Sequence, residues 1–208
     1  MRSGASMPDI SKQQMIDIMI RHPVIAAVRD DKQLHQAMLS SARIIFLLAG
    51  SINNLAERCR LLKAANRLCF LHLDLVAGLK PDQEGVLFVA RQIRPHGIIT
   101  TRPASIKWAR AAGLLTVQRI FLLDSSALQD GSRHIKASDP DLVEVLPGVA
   151  DKAISMAVSL FDRPLIAGGL ISERSEILKA LGAGALAVST GEPELWNLAD
   201  FEQESSLV

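Results

Sequence analysis

The strongest constraint on the fold is an alternation of short apolar runs with segments of helical periodicity along almost the whole chain. The runs recur at a spacing of roughly 20–28 residues, which is typical of strands that alternate with helices around a parallel sheet. Each run is hydrophobic throughout, as parallel strands buried on both faces are. The predicted strands are Val24–Val28, Ile44–Leu48, Leu68–Leu73, Gly97–Thr100, Leu115–Gln118, Leu142–Leu146, Leu165–Ala167 and Leu186–Ser189.

Eight strand–helix units predict an α/β fold, a small closed (β/α)8 TIM barrel. An open doubly wound sheet is the alternative, but no GxGxxG motif follows the first strand. No linker divides the chain, so we expect one barrel domain over 23–198. An N-terminal helix and extension would occupy 1–22, and a polar tail 199–208. The helix Ser11–Arg21 is expected to close the bottom of the barrel or to pack on its side.

Composition excludes several classes of protein. The chain has 208 residues, of which 49% are hydrophobic and 22% charged, as in an ordinary globular domain. No apolar run approaches the ~20 residues of a membrane span, and the N-terminus lacks a hydrophobic signal core. We therefore expect a cytoplasmic protein without a membrane partner. Cys59 and Cys69 form no metal or redox motif and are expected to be buried and reduced, with no cofactor.

Small residues follow the last two predicted strands. Gly168 and Gly169 end the seventh strand, and Ser189 and Thr190 end the eighth. In TIM barrels the loops after these two strands often bind phosphate through backbone N–H groups. The residues therefore predict a phosphate site, with a simple tight turn at the glycines as the alternative.

A carboxylate lies inside an otherwise apolar strand. Glu144 would be costly to bury without a cation, and Arg29, Lys80 and Arg119 are the candidate partners. Glu144 and its cation are interpreted either as a structural ion pair or as a polar floor that holds ligand hydroxyls.

Other polar side chains occur at or after the ends of the third and fourth strands: His72, Asp74 and Thr100. Asp74 and Glu144 are candidates for ligand hydroxyls or, in an enzyme, for an acid/base pair. His72 is interpreted as a hydrogen-bonded core histidine or as a catalyst.

Basic residues cluster on the helices of one flank of the predicted barrel. They are interpreted either as solvated helix faces or as a footprint for RNA phosphates, with Trp108 as a stacking platform or a core residue. The candidate RNA-binding residues are Arg58, Arg60, Lys63, Arg67, Lys107 and Arg110.

Several motifs together resemble one known family. VIAAVRD, IIFLLAGSINNL, LHLDLVAGL, the long LLTVQRIFLLDS stretch, VEVLPGV, IAGGLIS and AVSTGEPELW look like the glycerol-3-phosphate-responsive antiterminators, regulators of glycerol uptake operons. The resemblance covers residues 23–196. It implies a small TIM barrel that binds glycerol 3-phosphate and then the leader mRNA of glycerol-catabolism operons, without catalytic turnover.

The positions of the selected residues at the strand ends of the predicted barrel suggest their roles, and the resemblance names the ligand. Gly168, Gly169, Ser189 and Thr190 would bind the phosphate. Asp74, Glu144 and Thr100 would form the polar floor with Arg119 and Arg29. Two alternatives stay open at this point: an isomerase, epimerase or aldolase that acts on a small phosphate ester, and a barrel that binds a metabolite and a protein partner but no RNA.

Overall fold

The computed structural model of the protein describes residues 10–197, in which eight parallel strands form a closed barrel in chain order, with β1 paired to both β2 and β8. The predicted TIM barrel is confirmed, and the open-sheet alternative is wrong. The strands are β1 Val24–Val28, β2 Ile44–Leu47, β3 Leu68–His72, β4 Gly97–Thr100, β5 Leu115–Phe121, β6 Leu142–Leu146, β7 Leu165–Gly168 and β8 Ala187–Thr190.

One helix precedes the barrel and the others connect its strands. The helices are α1 Lys12–Arg21, α2 Asp31–Leu39, α3 Leu55–Ala64, α4 Gln83–Phe88, α5 Pro103–Ala111, α6 Ser125–Ser138, α7 Asp151–Leu160 and α8 Arg174–Gly182. A π-helical segment, Val89–Ile93, extends α4. Short 3-10 helices, Leu73–Leu75 and Pro193–Asn197, follow β3 and β8.

The strand boundaries depart from the sequence prediction at the ends. β5 continues past Gln118 to Phe121, where its backbone still pairs with Leu146 of β6. β3 stops at His72, because the chain turns there into a 3-10 helix. Asp74 therefore lies outside the strand, in the 3-10 helix, and its side chain does not continue the alternation of His72.

Alternate strand residues face the inside and the outside of the barrel. Phe46 and Phe70 meet inside the barrel with ring centroids 5.8 Å apart, while Ile45 and Leu71 pack outward under the helices. The barrel interior is thus a packed core rather than a pore, and the outer apolar layer attaches the helices to the sheet.

Helix α1 closes the amino-terminal end of the barrel. A capping box starts it, in which Ser11 and Gln14 satisfy each other's backbone N–H groups. Met15 and Met19 are fully buried in the same cluster as the inward-facing Ile25. Of the two predicted positions for this helix, closure of the bottom is therefore the observed one.

Residues 1–9 and 198–208 lie outside the described part of the chain, and with them most of the predicted extension and the polar tail. Cys59 and Cys69 are both buried as predicted, with their sulfur atoms 3.2 Å apart between α3 and β3. None of the helices in residues 10–197 has the length and apolar character that crossing a membrane requires.

Candidate functional site

A cavity of about 360 Å³ opens at the carboxyl ends of the strands. This end of the barrel, called the mouth below, is where TIM barrels carry their functional sites. Six of the predicted ligand residues line the cavity: Arg29, Arg119, Glu144, Gly169, Ser189 and Thr190.

The floor of the cavity is a buried polar network. Arg119 donates through Nε to Oε2 of Glu144 at 2.6 Å, and the Ser189 hydroxyl donates to Oε1 at 2.6 Å. The Glu144 side chain is fully buried and that of Arg119 is 10% exposed. Of the three candidate cations, the structure thus pairs Arg119 with Glu144, while Lys80 contacts Asp82 on the surface. Each carboxylate oxygen has one donor, so both retain lone pairs for a ligand.

The two glycines at the end of β7 lack side chains for different physical reasons. A Cβ atom on Gly168 would stand 2.4 Å from Oγ of Ser189 and 2.6 Å from Oε1 of Glu144. Gly168 does not line the cavity, and its lack of a side chain makes room for the Glu144–Ser189 hydrogen bond. Gly169 adopts a φ of +80°, a conformation that favours glycine, and lies on the cavity wall.

The hydroxyl of Thr190 is already engaged. It donates to the carbonyl of Ile171 at 2.8 Å and accepts from the N–H of Glu192 at 3.1 Å. The backbone carbonyl of Thr190 accepts from Nε1 of the buried Trp196. Thr190 therefore joins the loops after β7 and β8, and a ligand would meet this wall of the cavity mainly through backbone.

Sequence reasoning missed the role of Gln33. Asp30 caps α2 by accepting from the Gln33 N–H, while the Gln33 side chain accepts from the N–H of Arg29 and donates to the carbonyl of Gly191. This amide joins the first loop to the last and lines the cavity. The Asp30-x-x-Gln33 spacing, a capping-box pattern, was the signal that could have found it.

The free charges of the cavity are those of Arg29 and Glu192, both exposed. Because Arg119 and Glu144 neutralise each other, Arg29 is the side chain of the cavity whose positive charge is available to an anion. Within residues 10–197, Arg29 forms no ion pair.

Asp74 and Thr100 do not line this cavity. The Thr100 hydroxyl donates to Oδ1 of Asp74, and Thr101 donates to Oδ2 through both its N–H and its hydroxyl. Arg102 adds an ion pair at 3.3 Å. Asp74 is thus satisfied by the start of the loop after β4, a neighbour that the sequence did not reveal.

His72 is 3% exposed, and its Nδ1 has no hydrogen-bond partner in the described part of the chain. Burial and the nearby charge of Arg119 together lower the pKa of His72 to about 4, against a smaller opposite effect of the charge of Asp74. His72 is therefore a neutral imidazole near pH 7. It is buried like a core histidine, but it lacks the Nδ1 hydrogen bond that the core interpretation expects.

The predicted basic flank is largely neutralised. Arg58 contacts Asp31, Arg60 contacts Glu57 and Arg110 contacts Asp139. Lys107 is exposed on α5, whereas Trp108 is half-buried and packs against the outer core. Arg67 lies apart from these pairs and is described below.

The chain is thus a TIM barrel with a small polar cavity at its mouth, where proteins of this fold carry their sites. Within residues 10–197, no group of three or more His, Cys, Asp or Glu side chains is arranged to hold a metal ion.

Comparison with known proteins identifies the family. The profile of the family described as "Glycerol-3-phosphate responsive antiterminator" matches residues 24–196. The chain therefore belongs to the glycerol-3-phosphate responsive antiterminator family. The resemblance seen in the sequence motifs is confirmed, and so is the prediction of a transcription regulator in place of an enzyme, at the level of the family.

Three relatives support this assignment. A glycerol uptake operon antiterminator regulatory protein from Listeria monocytogenes is 32% identical with a TM-score of 0.80, over 83% of this chain and 94% of that one. A glycerol uptake operon antiterminator-related protein from Thermotoga maritima is 32% identical with a TM-score of 0.74, over 83% and 96%. YgcP of Escherichia coli K12, described as uncharacterized, is 32% identical over 89% of this chain and 97% of its own.

Aldolases of the same fold also match, at 11–15% identity. A likeness of that degree shows the fold alone, and it assigns no catalytic step to this chain.

Proposed function

We propose that this protein binds glycerol 3-phosphate in the cavity at the mouth and, in response, acts on leader mRNA of glycerol-catabolism operons to prevent premature termination of transcription. The observation that carries the proposal is the buried Arg119–Glu144–Ser189 network beneath a small cavity, in a chain of the antiterminator family. No additional cofactor is part of the proposal.

The cavity suits a small, polar ligand. Its volume of about 360 Å³ lies near the lower end of the range for small-molecule sites. Glycerol hydroxyls can donate to the remaining lone pairs of Glu144, which Arg119 and Ser189 hold in a fixed orientation. We assign hydroxyl recognition to Glu144 in preference to Asp74 and Thr100, because those two residues bond each other outside the cavity.

The phosphate would lie on the opposite wall, between the loops after β7 and β8. Gly169 and Gly191 line the cavity there, and Arg29 supplies a cation that forms no ion pair within the described residues. The ligand would thus span the two ends of the site, with its hydroxyls on the buried floor and its phosphate at the exposed rim.

A response to the ligand requires two states with different affinities for RNA. The Gln33 side chain links the loop after β1 to Gly191, which lies next to the proposed phosphate position. A phosphate bound there would therefore contact the hydrogen bond that connects the first and last strand–helix units of the barrel. Such a regulator would work in the cytoplasm, where leader mRNA is transcribed.

An enzymatic role on the same barrel is the second candidate. An aldolase of the Schiff-base type needs a lysine in the site, and no lysine is among the described residues that line the cavity. A turnover assay on triose and pentose phosphates tests this candidate. If the protein turns over one of these substrates and Glu144→Gln abolishes the turnover, the protein is an enzyme and the proposed regulator is wrong.

A thermal-shift comparison of glycerol 3-phosphate, inorganic phosphate and glycerol tests the proposed ligand. At about 100 times its Kd a ligand of the native state stabilises it by about 2.7 kcal/mol. We expect glycerol 3-phosphate to raise Tm more than either fragment, and Arg29→Gln to reduce this shift. Arg133→Gln on α6, which contacts Asp130 on the surface, is the matched control and should keep it. Equal shifts with glycerol 3-phosphate and phosphate would contradict the proposal.

A further inference from the structure

Three neighbouring strands each begin next to a basic residue. Arg43 directly precedes β2, Arg67 directly precedes β3, and His22 stands two residues before β1. Register pairs β1 with β2 and β2 with β3, and the N–H of Leu68 donates to the carbonyl of Arg43 at 2.9 Å. Arg21, the last residue of α1, adds a fourth basic side chain. These four residues are called the basic rim, and they lie at the end of the barrel opposite the mouth.

The basic rim has no neutralising carboxylate in the part of the chain that the structure describes. Arg21 donates through Nε to the backbone carbonyl of Asp17 at 3.2 Å. Arg67 donates through Nη2 to the carbonyls of Met38 and Ser40, at 3.3 and 2.7 Å, and its Nε has no partner. Backbone carbonyls at the end of α2 therefore fix the position of this guanidinium without a carboxylate from the described residues.

The like charges also act on one another. After burial, the charges of Arg43, Arg21 and Arg67 lower the pKa of His22, and that of Arg43 lowers the pKa of Arg67. An anion near these side chains would offset the repulsion between Arg43 and Arg67. The predicted flank differs, because on α3 and α5 Arg58 and Arg110 already have carboxylate partners.

We propose that the basic rim binds consecutive phosphodiester groups of single-stranded RNA, so that RNA and the small ligand occupy opposite ends of the barrel. The three arginines of the rim carry more positive charge than one phosphate needs, and arginine favours phosphate oxygens because its N–H groups form a planar fork. This inference rests on the proposed function, since it names the surface through which that function reaches RNA. Of the flank residues predicted to bind RNA, it retains only Arg67.

Fluorescence anisotropy with a labelled, mixed-sequence single-stranded RNA tests the rim, with and without glycerol 3-phosphate. Arg43→Glu should weaken binding by roughly an order of magnitude at low salt. Arg43→Gln should lower the slope of log K against log salt by about one, as loss of one phosphate contact does. Lys107→Glu on α5 is the matched control, with the same change in net charge as Arg43→Glu on the originally predicted flank, and should bind like the wild type.

The outcomes separate this inference from the proposed function. Each variant first has to show an unchanged thermal shift with glycerol 3-phosphate, and Arg21→Gln replaces any Arg43 variant that does not fold. If the rim variants bind RNA as well as the wild type does, the basic rim is not the RNA-binding surface. The antiterminator proposal would still stand in that case. If the wild type does not bind this RNA in either condition, the rim inference fails, and the thermal-shift comparison still tests the proposed ligand.

Discussion

The two ends of the barrel differ in whether their charged side chains are paired with an opposite charge. At the mouth, Arg119 and Glu144 are buried together and neutralise each other, and Ser189 satisfies the second carboxylate oxygen. At the basic rim, burial and the charge of Arg43 lower the pKa of Arg67, and neither side chain forms an ion pair with a carboxylate of the described residues. The mouth therefore presents fixed dipoles with little net charge, and the rim presents net positive charge.

The physical reason for the difference is burial. A charge that loses water must gain a partner within the fold, whereas a half-buried charge keeps enough water to remain unpaired. Glu144 is completely buried, while Arg43 and Arg67 are half-buried. Breaking a contact at the mouth should therefore affect stability strongly, and at the rim it should affect mainly binding and salt dependence.

Removal of the cation at the mouth should have the largest effect. Arg119→Met leaves the fully buried Glu144 carboxylate without its partner, and we expect a loss of about 3–5 kcal/mol in the free energy of unfolding. Arg133→Met breaks a pair whose side chains are 77% and 44% exposed, and should cost less than about 1 kcal/mol. Urea unfolding measures both. Similar losses would show that the Arg119 pair behaves like a surface contact.

The second prediction concerns the glycine beneath the network. Gly168→Ala places a Cβ where Ser189 and Glu144 meet, and should destabilise the protein by about 1–3 kcal/mol and weaken ligand binding. Gly182→Ala is the matched control, since no atom lies within 4 Å of its Cβ position at the end of α8; it should stabilise by up to about 1 kcal/mol. Thermal unfolding with and without glycerol 3-phosphate measures both. Equal effects would remove the packing explanation.

The third prediction is a pH dependence at the mouth. Because burial lowers the pKa of His72 from 6.5 to about 4, the unfolded chain binds more protons than the native one between these values. The free energy of unfolding should therefore fall as pH falls from 6.5 to about 4. His72→Asn should make this decline shallower in urea titrations at several pH values. Parallel curves for the two proteins would refute a buried neutral histidine.

The smallest expected effect is a salt dependence that distinguishes the two ends. Arg43, Arg21 and Arg67 contribute to the lowered pKa of His22, and added salt screens such half-exposed charges. NMR titration should show the pKa of His22 rising with ionic strength, and that of the buried His72 changing less. If the pKa of both histidines changed equally with ionic strength, the arginines of the basic rim would have no specific electrostatic effect on His22.

Much of the fold was predictable because burial on both faces demands continuous apolar strands. β1, β4 and β6 have the predicted bounds, and the last two strands carry small residues at the mouth as expected. The end of β3 was not predictable in the same way: Leu73 continues the apolar run, but the backbone turns there into a 3-10 helix.

The site was predictable in type but not in its contacts. A carboxylate inside an apolar strand requires a cation, and this pattern alone directed attention to Glu144 and its candidate partners. Which of Arg29, Lys80 and Arg119 would pair with it depended on how neighbouring strands align, and β5–β6 register places Arg119 directly opposite Glu144.

By itself, the sequence determined the eightfold barrel, the family and the mouth as the place of the site, because apolar periodicity and local motifs are properties of consecutive residues. Only the tertiary structure decided that Gly168 makes room for a hydrogen bond, that Asp74 bonds Thr100 outside the cavity, and that basic residues ahead of β1, β2 and β3 form one rim. Those contacts join residues far apart in the chain, and closure of the barrel sets the distances between them.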